Sequence, residues 1–173
     1  ESIRDATLAA AGVLDTKTGG PYVPTPRDGS GEVIVDETKP EARARSIFLQ
    51  HRRTQVPNFL SNFDAPSIVF NCTRRPTTTM PLQSLSLLNS EFSLQRARDL
   101  AARLNREAGP GTSAQIELGY LLTAGRRPDP DESRTLAQFL IDQRKVYGDQ
   151  PEGENKARTD LAQTLLSLNS FLY

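Results

Sequence analysis

The chain has one cysteine, one histidine, no excess of charge of either sign and no long apolar run. Cys72 has no partner within the sequence, so an internal disulfide, a C-x-x-C-H haem attachment and a four-ligand zinc site are all excluded. His51, with no second histidine and no cysteine cluster, makes no metal site. Twenty-one basic residues balance 21 acidic ones, which removes the basic excess that usually marks a nucleic-acid binder. No apolar stretch approaches the roughly 18 residues that would insert across a bilayer. Loops of the G-x-x-x-x-G-K-[ST] and G-x-G-x-x-G types are missing too, leaving nucleotide phosphates without a cradle. Hydrophobic residues make up only 36% of the chain, beside 12 prolines and 11 glycines. That balance predicts a mainly α, irregular helical domain with long loops and at most one or two short β-strands.

The 173 residues suit a single domain, 1–173, able to bury roughly 70% of its unfolded surface. The chain opens inside a helical pattern without a Met, so Glu1 is expected to be a boundary, and a missing leader says nothing of compartment. Over residues 2–14, Ser2 can cap with Asp5, and Ile3, Ala6, Ala10, Val13 and Leu14 share a face before Gly19-Gly20-Pro21 stops the helix. Residues 22–40 read as a long Pro/Gly-rich loop whose only apolar run is Val33-Ile34-Val35. Ile47, Phe48 and Leu49 suggest a short strand over residues 45–50. Pro57 opens a short helix over Phe59, Leu60 and Phe63, which Asp64-Ala65-Pro66 breaks. Pro81 starts another, with Thr79 as cap and Leu82, Leu85 and Leu88 as its buried stripe.

After Asn89-Ser90-Glu91 a longer helix carries Ala97, Leu100, Ala101 and Leu104 at helical spacing. Gly109-Pro110-Gly111 turns the chain; Thr112 or Ser113 then caps a helix through Ile116, Tyr120 and Leu121, with Gly119 permitting a close neighbour. Asp129-Pro130-Asp131-Glu132 is a strong start for a helix lined by Leu136, Phe139, Leu140, Gln143 and Tyr147. A polar loop at 148–154 leads to a last helix with Leu161, Leu165 and Leu168.

Several of these stretches occur together in one known family. Asn71-Cys72-Thr73-Arg74-Arg75 with Thr79, Pro81, Gln83 and Leu87-Leu88-Asn89 closely resembles the C-terminal signature of the planctomycete domain of unknown function 1553. Ile3-Arg4-Asp5, Gly19-Gly20-Pro21, Ser46-Ile47-Phe48, Arg52-Arg53, Phe63-Asp64-Ala65-Pro66, Gly125-Arg126-Arg127-Pro128 and residues 165–173 agree with it in order. Ser84 and Thr18 are mild departures. The resemblance implies the C-terminal part of a larger domain in a secreted protein, often with a cytochrome c-like haem module further upstream. It supplies no reaction and no catalytic residues. The expected partners are the N-terminal remainder of the same domain and neighbouring domains of the full-length protein.

The candidate sites divide by chemistry. Arg52, Arg53, Arg74 and Arg75 could converge on a carboxylate, sulfate or phosphate, making an anion or acidic-polysaccharide site. The competing structural role pairs them with carboxylates such as Asp64, or with backbone carbonyls of an irregular segment. Cys72, His51 and Asp64 hold the ingredients of a nucleophilic site, yet no nucleophile signature surrounds Cys72, and a small buried hydrophobe is the better reading. Helix capping accounts for Asp129, Asp131 and Glu132 without a metal. Thr77-Thr78-Thr79 suit turn and cap duty, and Tyr22 and Tyr120 are too scattered for a sugar platform. No catalytic set assembles, which favours a non-catalytic scaffold or interaction module. The alternatives are the anion site and one wall of an oxidoreductase or hydrolase site completed by upstream residues.

Overall fold

The computed structural model describes residues 1–53, 55–66, 78, 80–148 and 150–172. Its centre is a ring of four helices: α4 (Glu91–Ala108), α5 (Thr112–Ala124), α6 (Pro130–Tyr147) and α7 (Pro151–Leu166). Short turns make each helix the neighbour of the next, and α7 closes the ring against α4. The apolar stripes meet in one core, where Leu100, Leu140, Ala157, Leu161 and Leu165 are wholly buried. Each such leucine contributes about 1.5–3 kcal/mol by leaving water.

Two glycines set the spacing of the ring. A Cβ on Gly119 would lie 2.5 Å from Leu165 Cδ1, so α5 approaches α7 as the sequence suggests. A Cβ on Gly153 would overlap the Gly148 carbonyl oxygen and lie 2.7 Å from that of Tyr147, which lets α7 start tight against the end of α6. The α6 start follows its sequence. Asp129 Oδ1 accepts from the N–H groups of Asp131 and Glu132 at 2.9 and 2.8 Å, and Glu132 Oε2 accepts from Asp129 N–H at 2.8 Å.

Around the ring lie α1 (Ser2–Ala10), α2 (Asn58–Asn62), α3 (Pro81–Asn89) and the last turn α8 (Asn169–Leu172). A second small core of Val23, Leu49 and Leu60, flanked by Val35, Phe48 and Phe59, sits under the long loop. The mainly α expectation is met. Among the described residues there is no sheet, only isolated bridges such as Val23–Leu49 and Arg27–Val33.

Several local expectations need correction. Residues 45–50 form no strand: Ser46–Phe48 is a 3₁₀ turn and Ile47 is 75% exposed. The backbone there is held from the side, because Asp5 Oδ1 accepts from Ser46 N–H (2.8 Å) and Oγ–H (2.6 Å) while Arg4 donates to the Ala44 carbonyl (2.9 Å). Helix α1 stops at Ala10, ahead of Gly19-Gly20, since Gly12 turns at φ 73 and Arg103 donates to the Ala9 and Ala10 carbonyls. Its N-cap is Glu1, and Ser2 is already helical. Gly111 takes the N-cap of α5 in place of Thr112 or Ser113. On the outer faces, Leu121 and Tyr147 are exposed, the Tyr147 hydroxyl donating to Asp160. Helix α7 begins at Pro151, inside the stretch expected to be loop.

The largest correction concerns α3. Leu82, Leu85 and Leu88 are 54%, 51% and 52% exposed, and the buried residues are Gln83 and Leu87. Gln83 goes inward because both ends of its amide have partners: Nε2 donates to the Thr78 carbonyl (3.0 Å) and Oε1 accepts from Met80 N–H (3.4 Å). Met80 holds the N-cap position, and Thr79 lies outside the described residues.

Candidate functional site

Two of the three exposed leucines of α3, Leu82 and Leu85, open onto a cleft of about 600 Å³. One wall is α3 itself, through Leu82, Leu85, Ser86 and Asn89; the other is the extended stretch Val33-Ile34-Val35. Phe59 and Phe92 reach the floor, with ring centroids 4.8 Å apart and tilted at 57°. Asn58 fixes the far wall, because its Oδ1 accepts from Val33 N–H at 3.3 Å and its own N–H donates to the Val33 carbonyl at 2.9 Å. Across the mouth, Asn62 Nδ2 donates to Ser86 Oγ at 2.7 Å and ties α2 to α3.

Beneath the floor is a buried ionic layer that the sequence analysis did not single out. Arg4 and Arg96 each lie 5.5 Å from the Phe92 ring centroid. Arg96, 2% exposed, donates from Nη1 to Glu37 Oε2 at 3.1 Å. Its Nε stands 2.9 Å from Asp99 Oδ2, an ion pair without the linear geometry of a hydrogen bond. Burial pushes the Glu37 carboxyl above its usual range, against the opposing pull of Arg96 and Arg4. Arg4 is committed to the carbonyls of Ala42 and Ala44, and burial lowers its pKa from the usual arginine value. A signal did exist: Phe92, Arg96 and Leu100 share one face of α4 at four-residue spacing, placing a guanidinium among core positions.

The rim of the cleft is acidic. Asp28, Glu32 and Glu91 line it beside the buried Glu37, and Arg4 is the only cation on that lining among the described residues. The Ser30 hydroxyl, bonded at 2.7 Å, holds the Asp28 carboxyl below its ordinary range. Glu32 and Glu91 are exposed and make no ion pair among the described residues.

Of the residues singled out from the sequence as site or signature candidates, Asn89 lines this cleft, and His51, Arg52, Arg53 and Asp64 are not on its lining. Arg52 and Arg53 are exposed, and Arg52 Nη1 donates to its neighbour Gln55 Oε1 at 3.2 Å. Arg74, Arg75, Asn71, Cys72 and Thr77 lie outside the described residues, so the four-arginine cluster and the Cys72–His51–Asp64 set are described only through His51, Asp64, Arg52 and Arg53. Asp64, at φ 56, accepts from Thr78 N–H at 2.7 Å and from its hydroxyl at 2.9 Å, which is the turn role expected of the threonines. Of the signature residues on α3, Pro81 opens the helix, Gln83 is buried and Asn89 lines the cleft. Asp129 and Glu132 cap α6, and no group of three or more His, Cys, Asp or Glu among the described residues could hold a metal. Tyr22 is exposed and Tyr120 is buried in the ring, so they form no common platform.

Fold and cleft together define a helical domain with a preformed apolar groove. The chain belongs to the PSD1 family, proteins of unknown function (DUF1553), whose sequence profile matches residues 1–140. The matched span runs from α1 into α6 and contains the whole cleft, while α7, α8 and the similarity noted for residues 165–173 lie beyond it. No curated protein and no solved structure matches the chain. No helix among the described residues is long and apolar enough to cross a membrane.

Proposed function

We propose that this chain is a non-catalytic interaction module within a larger extracytoplasmic protein, with the α3 cleft as its recognition surface. The observation carrying this reading is that Leu82 and Leu85 stand half-exposed on the wall of a cleft whose floor is aromatic. A helix that turns Leu82, Leu85 and Leu88 outward and its glutamine inward is suited to a partner that supplies the missing cover. Residues of the same family domain lying further upstream are the natural occupant, in a protein that also carries a cytochrome c-like haem module. The test is calorimetric titration of the chain with the separately produced upstream part. The double substitution Leu82→Ser, Leu85→Ser is expected to abolish binding while leaving the circular dichroism spectrum unchanged. Equal binding by this variant, or none by the native chain, overturns the reading.

The exposure of Arg52 and Arg53 supports a second reading, an anion or sulfated-glycan site completed by Arg74 and Arg75. It predicts a thermal shift with sulfated polysaccharide at low salt that Arg52→Gln with Arg53→Gln removes. No shift with the native chain contradicts it.

A further inference from the structure

The cleft has a chemical bias that says what kind of segment it takes. Apolar side chains supply the walls and floor, whereas the exposed charge on the lining is, among the described residues, of one sign. Asp28, Glu32 and Glu91 are on that lining, and the one cation there among the described residues, Arg4, is buried and already donates to the carbonyls of Ala42 and Ala44. Glu37 is likewise answered by Arg96 from below. What remains unanswered at the opening is negative, carried by Glu32 and Glu91, which make no ion pair among the described residues. The volume of about 600 Å³ falls in the range, roughly 300–1,000 Å³, of clefts that take a small ligand or a few side chains. Exposed Asn89 on the rim can donate to and accept from a peptide backbone.

Resting on the interaction reading above, we infer that the cleft binds a short apolar polypeptide segment flanked by lysine or arginine. The apolar residues of that segment lie against Leu82, Leu85 and Phe59, and its basic flanks face Glu32 and Glu91. Two rim pairs of this kind add modestly to affinity and more to selectivity, because like charge at the same positions is repelled.

Fluorescence anisotropy with three labelled peptides tests this. All share one leucine–alanine centre, flanked by lysines, glutamines or glutamates. The expected order is lysine, then glutamine, then glutamate, with the lysine peptide about tenfold tighter than the glutamate one at low salt. That advantage shrinks as salt rises and is lost or reversed in the variant Glu32→Lys, Glu91→Lys, whose fold is checked by circular dichroism. Leu85→Ser weakens all three. Equal binding of the three peptides, still lost in Leu85→Ser, overturns the charge inference and leaves the interaction reading standing. A lysine advantage that survives both charge reversals also overturns it. Binding of none of the three overturns both.

Discussion

Arg96 shows what a single residue does for this fold. It is a guanidinium in the interior, joined to Glu37 in the long loop and set 5.5 Å from the Phe92 ring centroid, as is the guanidinium of Arg4. A buried pair of this kind gives little net stability as a pair, but breaking it leaves an uncompensated charge. Arg96→Ala is therefore expected to lower unfolding free energy by about 3–5 kcal/mol in urea titration. Arg96→Met combined with Glu37→Gln should recover much of that loss, and equal losses in the two variants would contradict the ionic account. Glu132 behaves differently because it stays at the surface. The bidentate bond from Arg126, at 2.7 and 2.6 Å, and the Asp129 N–H hold its pKa down to about 2. A carboxylate whose folded pKa lies below its unfolded value stabilises the protein above that unfolded value, and the contribution is lost as pH falls through the folded pKa. Between about pH 4.5 and 2, Glu132→Gln should thus flatten the fall in stability relative to the native chain, seen as a shrinking difference in Tm. The arginines singled out from the sequence came from adjacency in Arg52-Arg53 and Arg74-Arg75. Adjacency marks a residue for notice, but burial follows helical face, which is how Arg4 and Arg96 entered the interior.

At the scale of elements, helices α4 to α7 were legible because period and punctuation agreed. Leu100 and Leu104 repeat at four, Asp129 and Glu132 form a reciprocal cap, and Gly125 ends α5 in the left-handed region at φ 68. Helix α3 had an equally good stripe, and there the inference failed. Periodicity says which side of a helix is apolar, whereas only tertiary contacts say whether that side is covered. The 45–50 stretch failed for a related reason, since Asp5 and Arg4 claim its polar groups before a second strand can. The α6–α7 turn gives a sharp test of element spacing. Gly119→Ala presses a methyl on the movable end of Leu165, whereas Gly153→Ala presses one on the backbone carbonyls of Gly148 and Tyr147. The first should cost about 1–3 kcal/mol by overpacking, and the second more, read from urea midpoints. A Gly153→Ala variant as stable as the native chain would show that α7 can start further from α6.

For the whole molecule, the family match ends inside the helical ring. The matched span ends at residue 140, within α6, yet α7 fills the ring with Ala157, Leu161, Ala162 and Leu165, none of which is exposed. Removing several wholly buried side chains, at about 1.5–3 kcal/mol for each large one, uses up the 5–15 kcal/mol by which domains are stable. A chain ending at residue 140 should therefore lose cooperative thermal unfolding, while the 173-residue chain melts in one transition by circular dichroism. A sharp transition in the shorter chain would mean that the α1–α6 part has a sufficient core of its own. On the proposed reading, support and recognition are divided: the ring with its ionic layer holds Phe59, Phe92 and α3, and the exposed leucines of α3 meet the partner. The most direct measurement of that division is a backbone amide NMR titration with the lysine-flanked leucine–alanine peptide. Shifts confined to residues 28–37, 57–62 and 82–92, with Arg4 and Leu49, which together line the cleft, are the predicted result. Shifts centred instead on the outer faces of α5 and α6 around Leu121, Ile141 and Val146, or none at saturating peptide, would contradict it.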